Sequence, residues 1–119
     1  MRTIKFRGKR AKGECVGEWA YGELIQHDNL IWLEECDCIG MFTGCLDANG
    51  KEIYEGDILK VKDYEITDEK ITYIVDYNDS GFILRNALFR GKYTSLNQPY
   101  SECLVVVGNI YDNPELLNK

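Results

Sequence analysis

The sequence predicts a mainly β fold: an N-terminal β-hairpin region, a small SH3-like barrel and a short C-terminal helix. Three observations predict it. Short runs alternate apolar and polar residues with a period of two, as half-buried strands do. Clusters of Asn, Asp and Gly separate these runs at intervals of about 8–12 residues, the spacing of small sandwiches and barrels. The chain has 119 residues, of which 45% are hydrophobic and 29% charged, enough to build one core without a disulfide or metal staple.

The elements follow in chain order. Ile4 and Phe6 alternate with Lys5 and Arg7, which reads as a short strand. Gly8 and Gly13 bracket a basic turn. In Glu18–Ile25, the residues Trp19, Tyr21, Glu23 and Ile25 share one face. His27-Asp28-Asn29 forms a compact turn, and Leu30–Leu33 runs back as the second arm of a hairpin. Asp47-Ala48-Asn49-Gly50 is the clearest turn, because a type I′ connection needs positive φ at both central positions and Asn and Gly tolerate it. Glu55-Gly56-Asp57 turns the chain again into Ile58–Lys62. Ile71, Tyr73, Val75 and Tyr77 form the next alternating set, Asn78–Gly81 a turn, and Phe82–Leu84 the return strand. Leu104–Val107 is apolar on both faces, which predicts a central or doubly covered strand. Asn113-Pro114-Glu115 predicts a one-turn helix through Leu117, with Asn as N-cap and Pro at the first helical position. The expected division is residues 1–45 for the N-terminal β region and 46–119 for the barrel, packed as one unit.

Charge is unevenly spread. Residues 2–12 carry six basic groups and no acid, while the rest carries eight basic and 20 acidic groups, a balance of −12. An acidic body repels a polyanion, which argues against extended nucleic-acid coating and leaves a local phosphate contact at the basic end. No apolar segment follows the basic start, and no apolar stretch approaches membrane-spanning length. The expected compartment is the cytosol, where thiols stay reduced.

Several segments resemble the YopX family. They are Met1–Arg10 (MRTIKFRGKR), Gly17–Leu24 (GEWAYGEL), Thr43–Ile58 (TGCLDANGKEIYEGDI) and Val107–Leu117 (VGNIYDNPELL). The resemblance spans the chain and is weakest at Asp63–Glu69 and Arg90–Glu102. It implies a protein of bacteriophages and prophages with a β-rich structure that includes an SH3-type barrel, and it carries over no catalytic residue. Cys45 stands where the family shows an aliphatic residue, which argues against a special role for that thiol.

For each residue type that could carry chemistry, a structural role competes. Cys36, Cys38 and Cys45, with His27 or Cys103, would supply four zinc ligands, but one Cys-x-Cys without a second close pair is poor zinc spacing. The favoured reading is reduced thiols, some serving as small apolar residues. His27 is the sole histidine, in a predicted loop, and no thiol is adjacent to it. Glu34, Glu35, Asp37, Asp47, Glu52, Glu55 and Asp57 concentrate acid without an EF-hand or nuclease pattern. Turn formation and backbone capping account for Asp47 and Asp57. The basic start, Lys5, Arg7, Lys9 and Arg10 around Phe6, would hold phosphates and stack a base, or would simply protect an edge strand.

The sequence therefore points to a noncatalytic binding or interaction module, without cofactor or metal, that self-associates or binds another protein. The alternatives are a nucleic-acid accessory factor using Lys5, Arg7, Lys9 and Arg10, and, ranked last, a metal-dependent enzyme.

Overall fold

A computed structural model describes residues 5–11, 17–23, 36–61, 72–78, 81–86 and 93–117. Its strands are β1 (Lys5–Arg10), β2 (Trp19–Glu23), β3 (Cys36–Leu46), β4 (Glu52–Tyr54), β5 (Asp57–Val61), β6 (Thr72–Asn78), β7 (Gly81–Asn86), β8 (Tyr93–Ser95) and β9 (Leu104–Asn109). They form two antiparallel sheets, ordered β2-β1-β3-β4 and β8-β7-β6-β5-β9. The mainly β expectation holds. The His27 turn and its return strand lie outside the described residues.

β1 continues straight through Gly8, which sits inside a strand and not in a turn. A Cβ on Gly8 would lie 2.7 Å from the Cys36 Cβ, so the glycine lets β3 come close. β3 is the longest strand and has no alternating signature, because two irregularities break its period. The first lies opposite the Arg7–Lys9 step, where Cys38 takes a left-handed φ of 56°. The second lies between Phe42 and Leu46, where Gly44 has a φ of 88°. The strand runs through position 46, across the 45/46 division.

The Asp47–Gly50 turn forms, with a different geometry from the one expected. The Gly50 N–H donates to the Asp47 carbonyl at 3.0 Å, and of the turn residues Gly50 alone has positive φ. This is a type I turn followed by a left-handed glycine. Asp47 does the rest: its Oδ1 accepts from the Asn49 and Lys51 amides at 2.8 and 2.9 Å. Its Oδ2 accepts from the Val106 amide at 2.9 Å, and the Ala48 amide donates to the Leu104 carbonyl.

Those last two bonds explain why β9 is not central. Among the described strands β9 pairs with β5 alone and ends the five-stranded sheet. Its other side is covered by the β3–β4 turn, which satisfies polar groups that a further strand would otherwise take. The described strands accordingly form open sheets, with β8 and β9 at opposite ends, and not a closed SH3-like barrel.

The core lies where the β3–β4 hairpin packs on the larger sheet: Cys45 and Ile53 meet Leu59, Val75, Leu84 and Leu104. Fully burying each of the larger aliphatic side chains contributes roughly 1.5–3 kcal/mol. Cys45 acts there as a small apolar residue. A four-residue helix, α1 (Gln98–Ser101), docks on the end of β3: Ser101 Oγ donates to the Leu46 carbonyl at 2.7 Å. The C-terminal turn Pro114–Leu117 is a 3₁₀ helix. Asn113 does not cap it through its side chain. Asn113 Oδ1 instead accepts from the Asn109 amide of β9 at 3.2 Å. It occupies the space above Gly108, where a Cβ would come within 2.5 Å.

Candidate functional site

The basic start and the acidic body meet at β1. Alternate β1 residues Lys5, Arg7 and Lys9 share a face, and each reaches a carboxylate far away in sequence. Lys5 pairs with Glu52 of β4, Arg7 with Asp57 of β5, and Lys9 with Asp112 beyond β9. Arg10 ends the strand at partial exposure.

Arg7 is the centre. Its side chain is 6% exposed and that of Asp57 2%, with Arg7 Nη2 2.7 Å from Asp57 Oδ1. The same Nη2 donates to the Glu55 carbonyl at 3.4 Å. The guanidinium carbon lies over two aromatic rings, 4.7 Å from the Trp19 centroid and 4.9 Å from that of Tyr54. Asp57 Oδ2 accepts from the Tyr54 amide at 2.7 Å, so one carboxylate both caps the β4–β5 turn and neutralises β1. Burial pushes the Asp57 carboxyl above its ordinary value, against the lowering pull of the Arg7 charge and the Tyr54 amide. The Arg7 Nε–H is buried and donates to nothing among the described residues.

Beside Arg7 lies a cavity of about 170 Å³ lined by Arg7, Tyr21, Lys51, Glu52 and Tyr54. The rings of Tyr21 and Tyr54 meet edge to face at 5.5 Å. Tyr54 Oη donates to Glu52 Oε1 at 3.1 Å. Burial first, and the Glu52 charge next, push the Tyr54 phenol far above its ordinary value. At the other end of β1, hydrogen bonds from Lys9, then Trp19 and Asn109, hold Asp112 down at about 2. The Trp19 bond is 2.7 Å long.

The structure thus brings Lys5, Arg7 and Lys9 together and turns them onto the protein's own acids. Trp19 and Tyr21 were readable as one face of β2. Lys51, Tyr54 and Asp112 are not among the candidate residues of the sequence, whereas Asp57 is, as an acid accounted for by capping, without its Arg7 partner. No local signal reveals them, since Arg7 and Asp57 are 50 residues apart and Lys9 and Asp112 103 apart. Cys36 and Cys45 are buried and Cys103 is exposed. Among the described residues no three His, Cys, Asp or Glu side chains gather as a metal-holding group. His27 lies outside them.

The sequence matches the family described as YopX protein over residues 5–118. The chain belongs to the YopX family. The fold of this YopX-family chain is similar to that in the crystal structure of protein EF1440 from Enterococcus faecalis. The two are 24% identical, with a TM-score of 0.60, covering 98% of this chain and 99% of that one. At that identity the likeness bears on fold alone. No curated protein matches the chain.

Proposed function

We propose that this YopX-family chain is a noncatalytic interaction module that joins further chains, its own copies included, through an open sheet edge. The observation that carries this is the asymmetry of the five-stranded sheet. One end, β9, is capped by Asp47 and Ala48. The other end, β8, is exposed at all three residues. The Leu96 amide donates to the Phe82 carbonyl, and Leu84 faces Thr94 across the ladder. Antiparallel geometry then points the peptide groups of Thr94 toward β7 and those of Tyr93 and Ser95 away from it. Such an edge is a template for strand addition. The buried ionisable pair Arg7–Asp57 is spent on itself, which supports a noncatalytic reading.

The module would work in the cytoplasm of a phage-infected or lysogenic bacterial cell, the setting that its family implies. No helix among the described residues is long and apolar enough to cross a membrane.

Light scattering after size exclusion tests the reading. The wild-type mass should rise with concentration, and Ser95→Pro should lower the association without disturbing the β7–β8 ladder, because the Ser95 amide faces outward. A wild type that stays monomeric at every concentration refutes self-association. The nucleic-acid alternative would recruit Lys5, Arg7, Lys9 and Arg10. The first three already face carboxylates, so a phosphate would have to displace them. Oligonucleotide binding that falls steeply with salt would reverse this preference.

A further inference from the structure

We propose that the donors converging on Asp112 form a binding site for a small oxyanion, a carboxylate or phosphate group, and that the Asp112 carboxylate is the internal anion that keeps this site shut. The proposal stands apart from the sheet-edge reading and uses different residues.

It begins with the register of β1 and β2. Lys9 and Trp19 are direct partners across the antiparallel ladder, so their side chains leave the sheet on one face. Both reach the same carboxylate. The Lys9 ammonium donates to Asp112 Oδ1, and the Trp19 indole N–H donates to Oδ2 at 2.7 Å. The Asn109 side-chain amide adds a third donor to Oδ2 at 3.2 Å. Side chains from β1, β2 and β9, one of them positively charged, thus point at one pair of oxygens. The hydrogen bonds from Lys9, then from Trp19, hold the Asp112 carboxyl down at about 2, as a place suited to an anion does.

The donors are positioned without help from that carboxylate. Asn109 Oδ1 accepts from the Tyr111 and Asp112 backbone amides at 3.0 and 2.8 Å, which fixes its side-chain amide. The Trp19 ring lies 6.1 Å from the Tyr111 ring and carries the Arg7 guanidinium carbon at 4.7 Å. Removing the carboxylate therefore leaves a formed cradle, and little ordering remains for a ligand to induce.

Access separates this site from the buried Arg7–Asp57 pair. The Lys9 and Asp112 side chains are 31% and 33% exposed, against 6% and 2% for Arg7 and Asp57. Dissolved anions reach a pair that open, and the low net strength of such pairs lets one carboxylate give way to another oxyanion. A single small oxyanion balances the Lys9 charge as Asp112 does, while the acidic body repels a polyanion.

The test is NMR of the tryptophan indole N–H groups in ¹⁵N-labelled full-length protein. The chain has two tryptophans, and Trp19→Phe assigns the signal by its loss. Inorganic phosphate and, separately, acetate are titrated at constant ionic strength into wild type and Asp112→Ala, with chloride as the balancing control. The expected result is a downfield, saturating shift of the Trp19 indole N–H in Asp112→Ala with at least one of the two anions. The comparison identifies the preferred oxyanion. Wild type should bind it about fivefold more weakly, the cost of displacing an exposed ion pair. Lys9→Ala added to Asp112→Ala should weaken binding about tenfold, the loss of one charge-assisted contact. Asp112→Asn, which keeps an acceptor for the indole and drops the charge, carries the same test if alanine unfolds the protein. A Trp19 signal that neither anion moves in either variant would overturn the site. So would a shift that chloride reproduces, an affinity equal in wild type and variant, or one that Lys9→Ala leaves unchanged.

Discussion

The Arg7–Asp57 pair ties β1 of one sheet to β5 of the other, and its removal yields a quantitative prediction. The perturbation is a double-mutant cycle of Arg7→Met and Asp57→Asn. Methionine keeps apolar bulk between Trp19 and Tyr54, and asparagine keeps an acceptor for the Tyr54 amide, so the cycle isolates the charges. Both side chains are nearly inaccessible and meet at 2.7 Å. Each single variant strands one buried charge and should cost about 3–5 kcal/mol. The double variant removes both charges and should cost less than the two singles together, with a coupling of about 2–3 kcal/mol. Urea denaturation followed by tryptophan fluorescence measures all four corners, provided the slopes agree. A coupling below about 0.5 kcal/mol would refute the pair as the tie between sheets. The pH dependence supplies a sign. Burial raises the folded-state carboxyl of Asp57 above its unfolded value, so the folded state holds its proton more tightly. That group's contribution to stability falls as pH rises from the unfolded value through the folded one. Arg7→Met removes a group that lowers this carboxyl, so its penalty should be largest at neutral pH and shrink toward the ordinary aspartate range.

Three further predictions concern single positions. Asp47→Ala removes the acceptor for three backbone amides and uncaps β9. Water recovers part of the loss at the turn, so the cost should be about 3 kcal/mol by thermal or urea unfolding, and a change within about 0.5 kcal/mol would contradict the capping role. Asp112 has a folded value of about 2, below its unfolded 3.8, so its contribution is complete above the unfolded value and lost as pH falls through about 2. Because Asp112 is one-third exposed, solvent screening limits that contribution to about 1 kcal/mol, measurable as an Asp112→Asn difference at pH 7 that closes in strong acid. Cys38→Gly relieves a left-handed non-glycine residue and should stabilise by up to about 1 kcal/mol, read as a raised urea midpoint.

The fold's class, most of its turns and most strands of the second half were legible in the sequence, because each depends on neighbours. The alternation behind β6 and its antiparallel pairing with β7 needs only local sterics and close neighbours in the chain. The same holds for Asp47, whose side chain bonds amides two and four residues ahead. β3 was not legible, since its bulges shift the apolar residues off a fixed period. α1 was not either, because this short helix is held by contacts of Gln98 and Ser101 to Leu46, far away in sequence. The apolar run Leu104–Val107 suggested a central or doubly covered strand; among the described strands it ends the sheet, and a turn, not a strand, lies along its outer side.

The site divides in the same way. The sequence by itself determined that a cluster of cations lies at one end and a surplus of acids in the rest, and that Trp19 and Tyr21 share one face of β2. Only the tertiary structure decided that Lys5, Arg7 and Lys9 face Glu52, Asp57 and Asp112, and that one arginine is buried with an unmet donor beside a cavity. Composition and period are properties of neighbouring residues. Pairing across the sheets depends on register and on which groups folding removes from water, and those are settled when distant strands meet.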